Sequence, residues 1–279
     1  MMITGFIIGW NRIKNDTNDV NIKVSVIISI RNEGANIKKL VQSLRNQNYN
    51  KDLYDVIIVN DHSDDNSWEL LCNEKLNWPH LQLLDMDVNE YGKKKALSKA
   101  INFSNSEVIL TSDADCVFSP EWIKSMTSCF INDNINLASG PVSFNPQSTF
   151  FNQIQTLEFL SLIASGAAAI GLNQPIFCNG ANLAYRRKVF LEVNNYDDND
   201  IASGDDVFLL HMVKKLGPGS ILFIKKFEAI VLTDSITTFR QFINQRIRWV
   251  SKSSSYKDAY TIYTSILVFF VNSLLISLL

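Results

Sequence analysis

Val24-Ser-Val-Ile-Ile-Ser-Ile30 is an apolar run of strand length, and three more follow it: Asp55-Val-Ile-Ile-Val59, Leu81-Gln-Leu-Leu84 and Val108-Ile-Leu-Thr111. Short continuous runs of this kind read as strands buried on both faces. Between them, the patterns over 36–47, 65–76 and 93–103 read as helices. The alternating order predicts an α/β fold, a parallel sheet covered by helices, with ligand sites outside the carboxyl ends of the strands. Topology alone makes the first half a nucleotide-binding candidate, but a fold does not fix a function, so the reading turns on particular residues.

Composition narrows the classes. The 279 residues suit one large or two small domains. With 46% hydrophobic and 19% charged residues the chain is neither disordered nor collagen-like. Twenty-six basic against 28 acidic residues leave a net charge of −2, which argues against nucleic acid as a partner held by overall charge. Cys72, Cys116, Cys129 and Cys178 form no C-x-x-C pair, so neither a zinc site nor a disulfide scaffold is indicated, and reduced thiols facing the cytosol fit best. The three histidines form no H-E-x-x-H, and G-x-S-x-G and G-x-G-x-x-G are absent. Metalloprotease, serine hydrolase and dinucleotide readings drop out.

The ends point to a membrane. Residues 260–279 carry no charge, and a helix of that length spans about 30 Å, the hydrocarbon thickness of a bilayer. Arg240, Arg246, Arg248, Lys252 and Lys257 precede it and place the preceding segment in the cytoplasm. The chain stops inside this run, so the segment reads as truncated; a buried core helix is the alternative. Residues 1–10 are apolar without the features of a signal peptide and read as the end of a clipped membrane helix or as a frayed terminus, with a polar linker over 15–21. The expected organisation is thus a stub and linker over 1–20, a catalytic domain over 21–258 and a transmembrane helix over 259–279. The apolar stretch 150–172 is interrupted by Glu158 and reads as a helix partly buried in the domain or lying on the membrane surface.

Acidic groups stand where the sheet would present a ligand. Asn60-Asp61-His62-Ser63-Asp64-Asp65 follows the second strand and Ser112-Asp113-Ala114-Asp115 the fourth. In Asp113-Ala-Asp115 the alternation sends two carboxylates to one side of an extended segment, able to hold a hard divalent cation against a diphosphate. Capping explains Asp64 and Asp65 equally well, whereas Ser119 is better placed to cap the helix after Pro120. Gly92-Lys93-Lys94-Lys95 puts cations at a helix amino end, against the dipole, a placement that makes sense with a phosphate there or as a solvated charge run. Asp205 and Asp206 open a further helical pattern, as caps or with one as a general base. Gln245, Arg248 and Trp249 fall at i, i+3 and i+4 on one helix face, where they could hydrogen-bond a sugar, clamp a phosphate and stack on a pyranose; interfacial anchoring is the alternative.

In this order, Val24 to Glu33, Asn60 to Asp65, Gly92-Lys93 through Ala96-Leu97, Asp113-Ala-Asp115, Phe177 to Arg186, Gly204-Asp-Asp206 and Gln245 to Trp249, the chain resembles the family 2 glycosyltransferases, particularly the membrane-bound group that includes cellulose, chitin and hyaluronan synthases. The resemblance runs from about Val24 to the apolar C-terminal run. It implies a GT-A fold and inverting transfer from a nucleotide-sugar donor, usually a UDP-sugar, with Mg²⁺ or Mn²⁺, to a glycan or lipid acceptor at the cytoplasmic face of the cell (inner) membrane. Carried over by position, it implies that Glu33 and Asp61 contact the nucleoside, Lys93 the diphosphate and Asp113 the donor, with Asp115, beside Asp113, at the metal. It further implies Asp206 as general base with Asp205 beside it, Asn179 and Gly180 near the acceptor, and Gln245, Arg248 and Trp249 closing over diphosphate and acceptor. Ser29 and Asn60 depart from the family pattern, which often has Pro and a second Asp there. A sugar nucleotidyltransferase would need a Gly-rich, Arg-bearing loop where this chain has residues 30–34. A catalytically silent subunit of a glycan synthesis or export complex is the rival from outside the enzymes.

Overall fold

The four apolar runs become neighbouring parallel strands. In the computed structural model, which describes residues 2–14, 19–196, 206–253 and 256–278, β1 (Val24–Ile30), β2 (Tyr54–Asn60), β3 (Leu81–Asp85) and β4 (Val108–Ser112) lie in the order β3-β2-β1-β4. Val26 stands between Val56 and Leu110, so all three strands run in register. Ile27, Ile28, Ile57 and Ile58 are fully buried, each stabilising by about 1.5–3 kcal/mol through removal from water. The crossovers are α2 (Gly34–Arg45), α3 (Ser67–Lys75) and α4 (Lys93–Phe103). Ile37, Leu40, Val41 and Leu44 give α2 an inward face at helical spacing.

Beyond β4 the sheet is mixed rather than parallel throughout. β8 (Leu183–Arg186) pairs antiparallel with β4, and β6 (Leu137–Ser139) and β9 (Ile221–Phe223) complete a seven-stranded sheet. A small second sheet is made by β5 (Val117–Phe118), β10 (Val231–Thr233) and β7 (Val142–Phe144). These strands are two to four residues long, too short to carry a period. Buried Asn182 joins the two sheets: Trp122 Nε1 donates to its Oδ1 at 2.9 Å, and its Nδ2 donates to the carbonyls of Pro141 and Ala229 at 2.7 Å each. Asn182→Ala takes the partner from Trp122 Nε1 and from the Ala229 carbonyl and leaves the Pro141 carbonyl only the Val231 N–H, so it should lower unfolding stability by about 3 kcal/mol. Chemical denaturation measures this, and a loss below about 0.5 kcal/mol, the scale of an ordinary surface change, would refute the joint.

The remaining helices are α1 (Met2–Arg12), α5 (Trp122–Thr127), α6 (Phe150–Gly171), α7 (Arg187–Tyr196), α8 (Asp206–Lys214), α9 (Phe239–Ser253) and α10 (Ala259–Ser277). The N-terminal stub is a helix packed on α6 so closely that a Cβ on Gly9 would drive into the Ala168 carbonyl, and one on Gly171 into the Gly9 carbonyl. Among the described residues α6 is long and apolar enough to cross a membrane, and α10 adds a shorter apolar run over Ala259–Leu275. Glu158 does not interrupt α6, because the Arg246 guanidinium of α9 pairs with it. Close to half of α6 is buried in the domain, a property it shares with core helices of soluble proteins.

Candidate active site

The loops after β1 and β2 are fastened to each other. Asn32 and His62 sit at φ of 58° and 57°, the left-handed region that non-glycine residues seldom adopt. The Asn32 N–H donates to Ser63 Oγ at 3.1 Å, Asp64 N–H to Asn32 Oδ1 at 2.9 Å, Glu33 N–H to Ser67 Oγ at 2.8 Å and Gly34 N–H to Asp65 Oδ2 at 3.0 Å. Asp65 also accepts from the Ser67 N–H and hydroxyl, and these bonds hold its pKa below the usual range. Of the two readings open for Asp65, the local one describes its contacts. Asn60 donates to Asp85 at 2.9 Å and accepts from Ser63 N–H at 3.1 Å, two roles that an ionised carboxylate could not combine.

Asp61 is buried and ties the end of β2 to the start of α4: its Oδ2 accepts the Gly92 N–H at 2.9 Å and its Oδ1 lies 3.1 Å from His62 Nδ1. A carboxylate only accepts, so Nδ1 carries the proton. The His62 ring stacks on Tyr91 at 4.2 Å between centroids. The next residue after Gly92 is Lys93, whose ammonium pairs with Asp113. Loss of water around the ammonium works against its charge, but Asp113 and then Asp206 outweigh this and raise its pKa, while the side chain as a whole stays nearly half exposed.

Asp115 is half-buried and its Oδ2 accepts from the Thr233 hydroxyl at 2.9 Å. Burial, reinforced by the Asp113 charge, raises its pKa. Glu33, whose Oε2 accepts from Asn36 at 2.7 Å, is raised by burial and then by Asp115, Asp113 and Asp65. Negative charge is therefore concentrated between the ends of β1 and β4. The helix after Pro120 has Glu121 as its N-cap and carries no side-chain cap bond; Ser119 Oγ accepts the N–H of Glu121 itself at 3.2 Å, and Asp113 and Asp115 do not cap this helix. Among the described residues no three His, Cys, Asp or Glu side chains converge as a preformed metal cage. Asp113, already paired with Lys93, and half-buried Asp115 suit a hard cation whose remaining ligands come from a diphosphate.

Asp206 reaches the same region from the other half of the sheet. It opens α8, its Oδ2 accepts the Gly180 N–H at 2.5 Å and its Oδ1 the Val207 N–H at 3.0 Å. The loop carrying Gly180 is held by β4: Ser112 Oγ donates to the Ala181 carbonyl at 2.6 Å and Thr111 Oγ1 to that of Gly180 at 3.3 Å. Asn179 Oδ1 accepts the Ala181 N–H at 3.0 Å. A Cβ on Gly180 would lie 3.2 Å from Asp206 Oδ2, so a side chain here would displace the carboxylate by a few tenths of an ångström. Asp205 lies outside the described residues.

Glu33, Lys93, Asp113, Asp115, Asn179, Gly180 and Asp206 are thus brought to one rim of the sheet, with Asp61 buttressing Gly92 behind Lys93. Gln245, Arg248 and Trp249 lie on α9, whose side chains meet α6. Gln245 Oε1 accepts from Arg246 at 2.7 Å, Arg246 lies 4.3 Å above the Trp249 ring, that ring is 6.2 Å from Phe159, and Arg248 is exposed. Sequence reasoning missed Thr233 and Ser112. Thr233 ends a three-residue strand, and nothing in its neighbourhood marks it as a partner of Asp115.

Residues 25–193 match the family model described as Glycosyl transferase family 2. Glycosyltransferase AglE of Haloferax volcanii is 25% identical over 182 residues, 65% of this chain and 58% of that protein. Poly-beta-1,6-N-acetyl-D-glucosamine synthase of Staphylococcus epidermidis is 26% identical over 183 residues, 65% of this chain and 43% of that protein. The chain therefore spans about half the length of these relatives. Among solved structures, the mannosyltransferase PcManGT from Pyrobaculum calidifontis, in complex with GDP-Man and Mn²⁺, superposes with a TM-score of 0.66 at 15% identity, over 93% of this chain and 75% of that one.

Proposed function

Since the chain belongs to glycosyl transferase family 2, we propose that the rim formed by β1, β4 and α8 transfers a sugar from a nucleotide-sugar donor, a UDP-sugar first among them, to an acceptor hydroxyl of a glycan or lipid, with inversion. One observation carries the reading: Asp206 accepts the Gly180 N–H, and the Gly180–Ala181 backbone is fastened by Thr111 and Ser112 to the end of β4, directly before Asp113, the partner of Lys93. In an inverting displacement the acceptor proton must leave on one side while negative charge develops on the departing diphosphate on the other. Asp206 takes the acceptor proton as the new C–O bond forms. The old bond breaks with its electron pair going to the nucleoside diphosphate, and Lys93 meets that charge. Asp113 and Asp115 would hold Mg²⁺ or Mn²⁺, which when bound neutralises the leaving diphosphate. Complexes such as that of the Pyrobaculum mannosyltransferase with GDP-Man and Mn²⁺ support the donor class and the metal.

Membrane attachment belongs to the same proposal. Exposed Ile3, Ile7, Leu157, Leu160, Phe269 and Phe270 on α1, α6 and α10 form apolar surface of the kind that marks a membrane or protein contact, and the basic residues before α10 favour a cytoplasmic catalytic domain. The test is nucleoside diphosphate release from a panel of UDP- and GDP-sugars by detergent-solubilised protein with Mn²⁺, Mg²⁺ or chelator. Metal-dependent release from one donor is the expected result. Absence of both release and nucleotide binding would favour the silent-subunit reading.

A further inference from the structure

α10 is anchored to the domain by its first turn. Thr261 and Thr264 are buried, whereas Ile266, Val268, Phe269, Phe270, Leu274 and Leu275 are exposed. That first turn grips α8. His211 Nε2 lies 3.1 Å from Thr261 Oγ1, both buried. Lys214 Nζ donates to Asp258 Oδ2 at 2.7 Å, with each side chain less than a fifth exposed. Asp258 in turn accepts the Thr261 N–H at 2.9 Å and hydroxyl at 2.8 Å through Oδ1. Tyr256 stands edge-on to Phe208 and His211, 5.6 and 5.5 Å between centroids. Burial works against the Asp258 charge, but the hydrogen bonds and charge of Lys214 and Thr261 keep its pKa low. Phe208, His211 and Lys214 recur at i, i+3 and i+6, one face of α8, and the opposite end of that helix begins with Asp206.

We propose that the start of α10 is the positioning element for the Asp206 carboxylate, with His211, Lys214, Asp258 and Thr261 as positioning residues. This rests on the reading of Asp206 as general base. α8 is nine residues long, about 12 Å, so a tilt of about 5° at its gripped end moves Asp206 by about 1 Å. A displacement of that size at a reacting group costs up to about 100-fold in rate. The apolar helix and the proton acceptor are thereby made one mechanical unit, and the seating of α10 sets turnover rather than donor affinity, since Glu33, Lys93, Asp113 and Asp115 lie on other elements.

The test is steady-state donor turnover by the full-length protein in lipid nanodiscs, comparing Lys214→Met, Lys214→Arg, Thr261→Val and Lys214→Met/Asp258→Asn. Lys214→Met should lower kcat about tenfold with donor KM within about twofold of wild type, Lys214→Arg should retain kcat within about threefold, and the double variant should be no slower than Lys214→Met, because residues acting through one contact are not additive. Thr261→Val, which leaves the His211 nitrogen without its hydroxyl, should lower kcat in the same sense. Unchanged kcat in Lys214→Met and Thr261→Val would overturn the inference while leaving the base assignment intact. Loss of donor binding in parallel with kcat, unrelieved by Lys214→Arg, would overturn it as a general loss of structure. A wild-type protein without donor turnover, or Asp206→Asn as active as wild type, would remove the underlying reading and this inference with it.

Discussion

Asp206→Asn abolishes sugar transfer while donor binding stays within about twofold of wild type, because a positioned general base contributes on the order of 10²–10⁴ in rate and little ground-state affinity. The substitution is close to isosteric. The Asn amide oxygen can still accept the Gly180 N–H that Asp206 Oδ2 accepts at 2.5 Å, so α8 keeps its attachment to the loop. What is lost is a group able to take the acceptor proton, together with the acceptor of the Val207 N–H, which the amide nitrogen cannot replace. Nucleoside diphosphate release and calorimetric titration with the nucleotide separate the two effects. Release within about tenfold of wild type, less than a base contributes, would falsify the assignment.

The second large effect is expected at Asp115. Asp115→Asn should weaken donor binding about tenfold or more in Mn²⁺ and much less in chelator, since a carboxylate shared between protein and diphosphate acts through the cation. Stability should move the other way. The raised Asp115 pKa means that the folded state binds this proton more tightly than the unfolded chain does, so the group's contribution falls as pH rises from the ordinary carboxylate range through the folded value. Without metal, Asp115→Asn should therefore raise the thermal midpoint at pH 7.5 and leave it unchanged near pH 3. Mn²⁺ should raise the wild-type midpoint at pH 7.5 and not that of the variant. A variant with unaltered metal dependence removes Asp115 from the site.

The first half of the molecule was legible because its signals are long. Seven residues at 24–30, five of them Val or Ile, read as a buried strand by their length and β-branched content, and Gly92 before three lysines marks the start of a helix that does begin at Lys93. The second half was not. β6, β8 and β9 are three or four residues long and are fixed by partners distant in sequence, with Asn182 bridging from Trp122 to Ala229. Among site residues, the acids at strand ends could be found from position. The partners that aim them could not, since Thr233 and Ser112 become meaningful only once the chain has folded. Glu158 misled for a related reason: a charge inside an apolar stretch reads as a break until the Arg246 that neutralises it is in view.

The close approach of Gly9 and Gly171 also has a consequence in time. During synthesis α1 leaves the ribosome well before α6, and the helix that fits its glycine face is completed only after β1–β7 have been made. At roughly 5–20 residues per second that interval is on the order of ten seconds. Throughout it the small-residue face meant for α6 and the outward Ile3, Ile7 and Ile8 are together uncovered on a nascent chain. The order of translation, as much as the final packing, therefore decides how long α1 goes uncovered before its partner arrives.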